Sequence, residues 1–218
     1  MANKSIDSMN VIGKDRVKVS FAVPSRNVWM AETAVSFAAM VAASVNEIPN
    51  LDLCIDNTMG TGLVMNRINS VQKAIDKECD YILFIDDDMA IPMGTLIMLL
   101  AHQKPVVAAN CARKELPPRP TAKGFDDELV YTREKSKGLE QVKSVGTGIM
   151  LIHTGVFKEI HAPWFYENPI KRIGEDVHFC NQCTEKGIPI YIDHDLSKEV
   201  GHIGDFNYNH KLMKEWKE

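Results

Sequence analysis

A chain of 218 residues, 45% hydrophobic and 25% charged, has the apolar material for a full core, which excludes a fibrous or disordered protein. Its 25 Lys and Arg against 29 Asp and Glu leave a net charge of −4, so a global pull toward nucleic acid or anionic membrane is excluded. Five scattered cysteines suggest free thiols in a reducing compartment. No apolar run reaches the length of a membrane span, and the polar start Met1–Ser5 lacks a signal peptide's apolar core, so a soluble, cytoplasmic protein is expected.

Residues 1–15 read as a polar lead-in. Val17–Val23 alternates and then turns apolar, a first strand ending in the turn Pro24-Ser25-Arg26-Asn27. Met30, Phe37, Val41 and Val45, with Ala34 between, predict one helical face that stops before Pro49. Leu51–Asp56 alternates as a second strand. Gly60 and Gly62 then shape a turn into a helix with Val64, Ile68, Val71 and Ile75 on its apolar face; the Walker lysine and the Rossmann glycine spacing are absent.

Tyr81–Ile85 is a continuous apolar run, read as a strand buried on both faces, and it enters Asp86-Asp87-Asp88. Open α/β sheets place ligands at that C-terminal end. Three adjacent carboxylates raise one another's pKa unless a cation, a ligand or solvent compensates, and hard oxygen ligands suit magnesium or manganese. An acidic loop that is merely solvated is the plain alternative.

Pro92 helps start a helix over 93–102, and Pro105–Ala109 is another buried strand. Strands alternating with helices at this rhythm predict an α/β domain with a mostly parallel central sheet flanked by helices. Residues 111–141 are a polar excursion with one hairpin; Lys114, Arg119 and Lys123 there either serve an anionic substrate or are simply solvated. Ser144–Ile152 is a strand entered through Gly146-Thr147-Gly148, where glycines allow close approach of a ligand. Thr154 caps a short helix to Ile160.

Pro163-Trp164-Phe165-Tyr166 either packs into the core or walls a sugar or base. Glu175 and Asp176 start a helix that runs to about Lys186, where the helix dipole favours carboxylates. Cys180 and Cys183, i and i+3 on that helix, read as core residues, since no second ligand pair for zinc exists. Ile188–Asp193 is a last strand, and His202 stands between Gly201 and Gly204 in a loop, a metal or phosphate contact or a surface histidine.

The acidic triplet, the later Glu-Asp pair and the terminal Gly-His, in that order, make residues 17–204 resemble the GT-A superfamily of nucleotide-sugar glycosyltransferases. The likeness is greatest to the inverting family 2 type and its compact phage and bacterial relatives. The resemblance implies a single GT-A (Rossmann-like) domain over 16–205, carrying the 111–141 excursion, with 206–218 as a tail. It implies a DxD motif at Asp86-Asp87-Asp88 that meets the ribose and a divalent metal, Mn2+ or Mg2+, held by Asp86, Asp88 and His202. Asp176 becomes the general base, with Glu175 beside it. Pro24, Ser25, Arg26, Asp86, Asp87, Gly146, Thr147, Gly148 and Trp164 become the nucleotide-sugar contacts. The implied partners are a nucleotide-sugar donor, UDP-linked in the first instance, and an acceptor that is a glycan or a modified DNA base. Two alternatives stand beside this reading: a nucleotidyltransferase, for which Pro24–Val28 is not the glycine-rich basic loop required, and a non-catalytic nucleotide-sugar-binding module.

Overall fold

The computed structural model describes residues 16–209 and Lys211. The first half contains β1 (Val17–Ala22), α1 (Ala31–Glu47), β2 (Leu51–Asp56), α2 (Leu63–Asp76), β3 (Tyr81–Ile85), β4 (Met89–Ala90), α3 (Thr95–Ala101) and β5 (Val106–Ala108). The second half contains β6 (Leu139–Val142), β7 (Ile149–His153), α4 (Val156–Glu159), α5 (Glu175–Glu185), β8 (Ile190–Asp193), α6 (His194–Ser197), β9 (Gly201–Ile203) and β10 (Asn207–Tyr208).

Seven strands form one sheet in the order β2-β1-β3-β7-β5-β8-β6. Five of them run the same way, while β7 and β6 are reversed. The reversal has a local cause. A parallel neighbour requires a crossover of helix length, whereas β7 is reached from β5 through the irregular excursion, which can return the chain in either sense.

Every residue of β3 is buried. Ile82 and Phe84 face one core with Val71, Ala74, Phe157, Phe179 and Cys180. Tyr81, Leu83 and Ile85 face the other, with Phe37, Met40, Leu96 and Leu99. The alternation of a strand thus serves two helical layers, which is why its sequence is apolar at every position. Phe84 alone, truncated to Ala, would cost about 3–5 kcal/mol.

Several expectations are corrected. The buried face of α1 is Thr33, Phe37, Met40 and Ser44, while Val45 is exposed and Met30 lies outside the helix. A pattern of apolar residues misses the register here because Ser44 satisfies its own hydroxyl on the Met40 carbonyl at 2.7 Å and can be buried. In α2 the buried residues include Asn66, Arg67 and Ser70 as well as Val71 and Ala74. Thr154 does not cap α4; its hydroxyl donates to the Cys79 carbonyl at 2.7 Å, and Gly155 holds the cap position. His202 is not in a loop but in β9, which pairs antiparallel with β4 and β10 in a small second sheet. All five cysteines are free, and Cys180 and Cys183 are fully buried in the core. No helix among the described residues is long and apolar enough to cross a membrane. The lead-in and most of the tail lie outside the described residues.

Candidate active site

The end of β3 delivers the triplet to a cleft of about 380 Å3 lined by Pro24, Ser25, Arg26, Leu63, Asn66, Asp86, Asp87, Asp88, Lys114 and His202. Each aspartate has a different partner. Asp86 Oδ1 accepts from Arg67 Nη2 at 2.9 Å, Asp87 Oδ2 accepts from the Arg26 amide at 3.3 Å, and Asp88 is gripped from both sides by His202 and Lys114. Asp87 is raised above the usual carboxylate range, first by burial and then by the charges of Asp88 and Asp86, with the Arg26 amide opposing. Burial also acts to raise Asp88, but His202 and Lys114 outweigh it and hold its carboxyl low.

Pairing of β4 with β9 sets Met89 opposite His202 and so brings His202 to Asp88. His202 Nδ1 lies 2.9 Å from the Ala112 carbonyl, which can only accept, so Nδ1 carries a proton. Its Nε2 lies 3.1 Å from Asp88 Oδ1. A neutral ring would set two lone pairs against each other at that distance. The contact is satisfied by an imidazolium or by a cation shared between the two atoms. Adjacent ligands of an octahedral magnesium ion, each at about 2.1 Å, stand about 3 Å apart. One carboxylate, one imidazole and a carbonyl behind the imidazole fit a divalent ion that draws the rest of its shell from water and phosphate. Among the described residues no three His, Cys, Asp or Glu side chains gather into a fuller ligand set. Asp86, the third expected ligand, lines the same cleft and gives its Oδ1 to Arg67.

Arg67, which no local motif marks, links the two halves of the site. It is 2% exposed, lies over the Phe84 ring at 5.5 Å, and sets Nε 3.4 Å from Glu175 Oε1 while Nη2 holds Asp86. Its Nε and Nη1 have no hydrogen-bond partner among the described residues. One buried guanidinium therefore ties the triplet to the Glu-Asp pair. The available signal was the stripe Asn66, Arg67, Ser70 on α2, polar residues spaced to share the helix face that also carries Val71 and Ala74.

α5 opens on Glu175-Asp176 after Gly174. A Cβ on Gly174 would stand 2.9 Å from Asp176 Oδ1, so the glycine makes room for the carboxylate to fold back onto the Val177 amide at 2.7 Å. Burial raises Asp176, while the Val177 amide and Arg67 oppose and the Asp86 charge adds to the rise. Glu175 is raised by burial too, with Arg67 opposing and Asp176 and Asp86 adding.

The other expected contacts divide. Ser25 is held at the cleft by its amide on the Thr58 carbonyl at 3.1 Å, with Asn66 Nδ2 donating to the Ser25 carbonyl at 3.2 Å. Gly148 lies under the triplet: its carbonyl accepts from the Asp86 amide at 2.9 Å, and a Cβ there would be 3.6 Å from Asp86 Oδ2. Gly146 packs on Thr121, where a Cβ would meet the side chain at 3.1 Å, and Thr147 is buried. Neither lines the cleft. Trp164 is turned to the core, its Nε1 donating to the Phe157 carbonyl at 3.1 Å.

No protein-family model and no curated protein matches the chain. Solved structures do. A197 from STIV superposes with a TM-score of 0.54 at 18% identity, over 87% of this chain and 86% of that one. A mutant of Drosophila beta-1,4-galactosyltransferase 7, solved with manganese, UDP-Gal and xylobiose, superposes with a TM-score of 0.50 at 14% identity, over 89% and 70%. Identities this low establish the fold and no more. The chain has a mixed α/β, Rossmann-like fold, a seven-stranded, mostly parallel sheet flanked by helices, and it shares that fold with a glycosyltransferase.

Proposed function

We propose that this protein is a glycosyltransferase that moves a sugar from a nucleotide-diphosphate donor, UDP-linked in the first instance, to an acceptor hydroxyl with inversion. The observation that carries the reading is one buried cation, Arg67, joining a strand-end carboxylate, Asp86, to a helix-start pair whose carboxyls are raised in pKa by burial. Such a joint holds a donor cleft and a proton acceptor in fixed relation, as a displacement reaction requires.

In this mechanism Asp176 takes the proton of the acceptor hydroxyl as its oxygen forms the new bond to the anomeric carbon. The old bond from that carbon to the diphosphate breaks, and its electron pair leaves on the phosphate oxygen. A raised pKa suits Asp176 to the task, because a base near the working pH accepts the proton more readily. Asp88 and His202 would hold Mn2+ or Mg2+, which when bound neutralises charge on the leaving diphosphate. Pro24, Ser25 and Arg26 flank the nucleoside, and Asp86 and Asp87 orient it. Gly146, Thr147 and Trp164 do not line the cleft, which narrows the donor contacts expected from the sequence.

The acceptor we favour is a glycan. Arg119, one of the basic residues that could have met DNA phosphates, is bidentate on Glu115. The galactosyltransferase neighbour, for its part, is solved with xylobiose.

The test is a thermal-shift panel of UDP, GDP, CDP and dTDP sugars with and without manganese. A ligand at a hundred times its Kd adds about 2.7 kcal/mol. Stabilisation by one nucleotide, strengthened by metal, supports the reading; no shift with any of them overturns it. Slow donor hydrolysis by the wild type, lost in Asp88→Ala, separates an enzyme from a nucleotide-sugar-binding module.

A further inference from the structure

Asp88 has two oxygens, and they face different partners. Oδ1 faces His202 and Oδ2 takes the ammonium of Lys114. Lys114 comes from the excursion, which is pinned around it. The Arg113 amide donates to the Arg119 carbonyl at 2.8 Å, the Glu115 amide donates to the Arg113 carbonyl at 2.9 Å, and the Ala112 carbonyl is tied to His202 at 2.9 Å. Its stem crosses Gly204, where a Cβ would come within 3.3 Å of Lys114 Cδ. The backbone is thus fixed while the ammonium, on a flexible stem and a third exposed, remains free to turn.

Its surroundings show where it can turn. Lys114, Asp87, Asp88 and Arg26 line both the 380 Å3 cleft and the adjoining hollow of about 580 Å3 that continues past Val28 and Tyr208. Arg67 is locked in the core and cannot follow a ligand. Among the described residues, Arg26 and Lys114 are the Arg and Lys side chains that line these two hollows, and Lys114 is the one whose side chain pairs with a carboxylate of the triplet.

We propose that Lys114 is a ligand of the donor's diphosphate that rests on Asp88 in the empty protein and is displaced from it when a divalent cation arrives. The inference rests on the donor reading given above. A diphosphate approaching three carboxylates is repelled unless their charge is neutralised. In this structure Lys114 neutralises Asp88. A metal held by Asp88 and His202 would take over that role, and the Lys114 ammonium would then donate to a phosphate oxygen, where a charge-assisted hydrogen bond is strong. Lys114 therefore competes with the metal for Asp88 and cooperates with it in holding the diphosphate.

Those two roles have opposite signs, and calorimetry can read them separately with manganese alone and with inorganic pyrophosphate in the presence of manganese. Lys114→Met is expected to bind manganese alone about tenfold more tightly, because the competing cation is gone. The same variant is expected to bind pyrophosphate with manganese about tenfold or more weakly, the loss of one charged hydrogen bond. Lys114→Arg keeps the charge and should keep most of the pyrophosphate affinity. A damaged fold cannot produce the tighter manganese binding. Unchanged pyrophosphate affinity in Lys114→Met overturns the proposal, as does manganese binding that is no tighter. If pyrophosphate behaves as expected while no nucleotide sugar stabilises the wild type, the donor reading falls and the diphosphate role of Lys114 stands.

Discussion

Asp56 and Asp86 end parallel strands that flank β1, yet the protein treats them in opposite ways. Asp56 is saturated: Thr58 and Ser70 donate to Oδ2 at 2.6 and 2.7 Å, and Lys73 donates to Oδ1 at 2.7 Å. Burial pushes its pKa up, but these partners outweigh burial and leave it lowered. Asp86 shares its single guanidinium with Glu175, and its charge reaches Asp87, Glu175 and Asp176, all of them raised. The difference teaches that a carboxylate at a strand end is not yet a site. One supplied with all its donors closes a turn, whereas a group of carboxylates with too few cations is left waiting for a ligand.

Asp176→Asn should have the largest effect. Transfer is expected to fall by about three orders of magnitude, within the range of lost general-base catalysis, while donor affinity in the thermal-shift assay stays as it was. Unchanged turnover would remove Asp176 from the base role. The same variant should melt higher than wild type, by about 2 °C, because it removes a carboxyl that is costly to ionise where it is buried.

Arg67→Met comes next, with an expected loss of about 3 kcal/mol in denaturant unfolding at neutral pH, since Asp86 and Glu175 are left uncompensated. That penalty should shrink as pH falls and Glu175, whose pKa burial raises, protonates. A loss that does not change with pH would mean that Arg67 matters by its packing on Phe84 instead.

Asp56→Asn is expected to cost about 2 kcal/mol at neutral pH, the range for hydrogen bonds to a charged group. Asp56 has a lowered pKa in the folded state, so its stabilisation is present above the unfolded value and is lost as pH falls through the folded one. The wild-type and Asp56→Asn stability curves should therefore converge in acid. Curves that stay parallel would show that the carboxylate charge contributes nothing.

The smallest effect is a displacement along the pH axis. Asp176 must be ionised to accept a proton, and its pKa is raised, so kcat/KM should climb with pH along a limb above the ordinary aspartate range. A limb at or below that range would assign it to another group.

Features with local causes were legible along the chain. Tyr81–Ile85 is apolar at every position because two helical layers cover it, so the buried strand and the carboxylates at its end were legible in one short stretch. Glu175-Asp176 at a helix start was legible for the same kind of reason, and the bounds of α5 were read to within a residue.

Tertiary structure alone decided which charges meet. Arg67 looks like any helix arginine until α2 packs on the sheet and α5 brings Glu175 to it. Lys114 and Asp88 are 26 residues apart, and His202 is 114 from Asp88; the pairing of β4 with β9 closes the longer of those gaps. Electrostatic partnership depends on distance in space and on burial, neither of which is written in spacing along the chain. That is also why Asp56 and Asp86, so alike in sequence, were sorted into structure and site only by the folded protein.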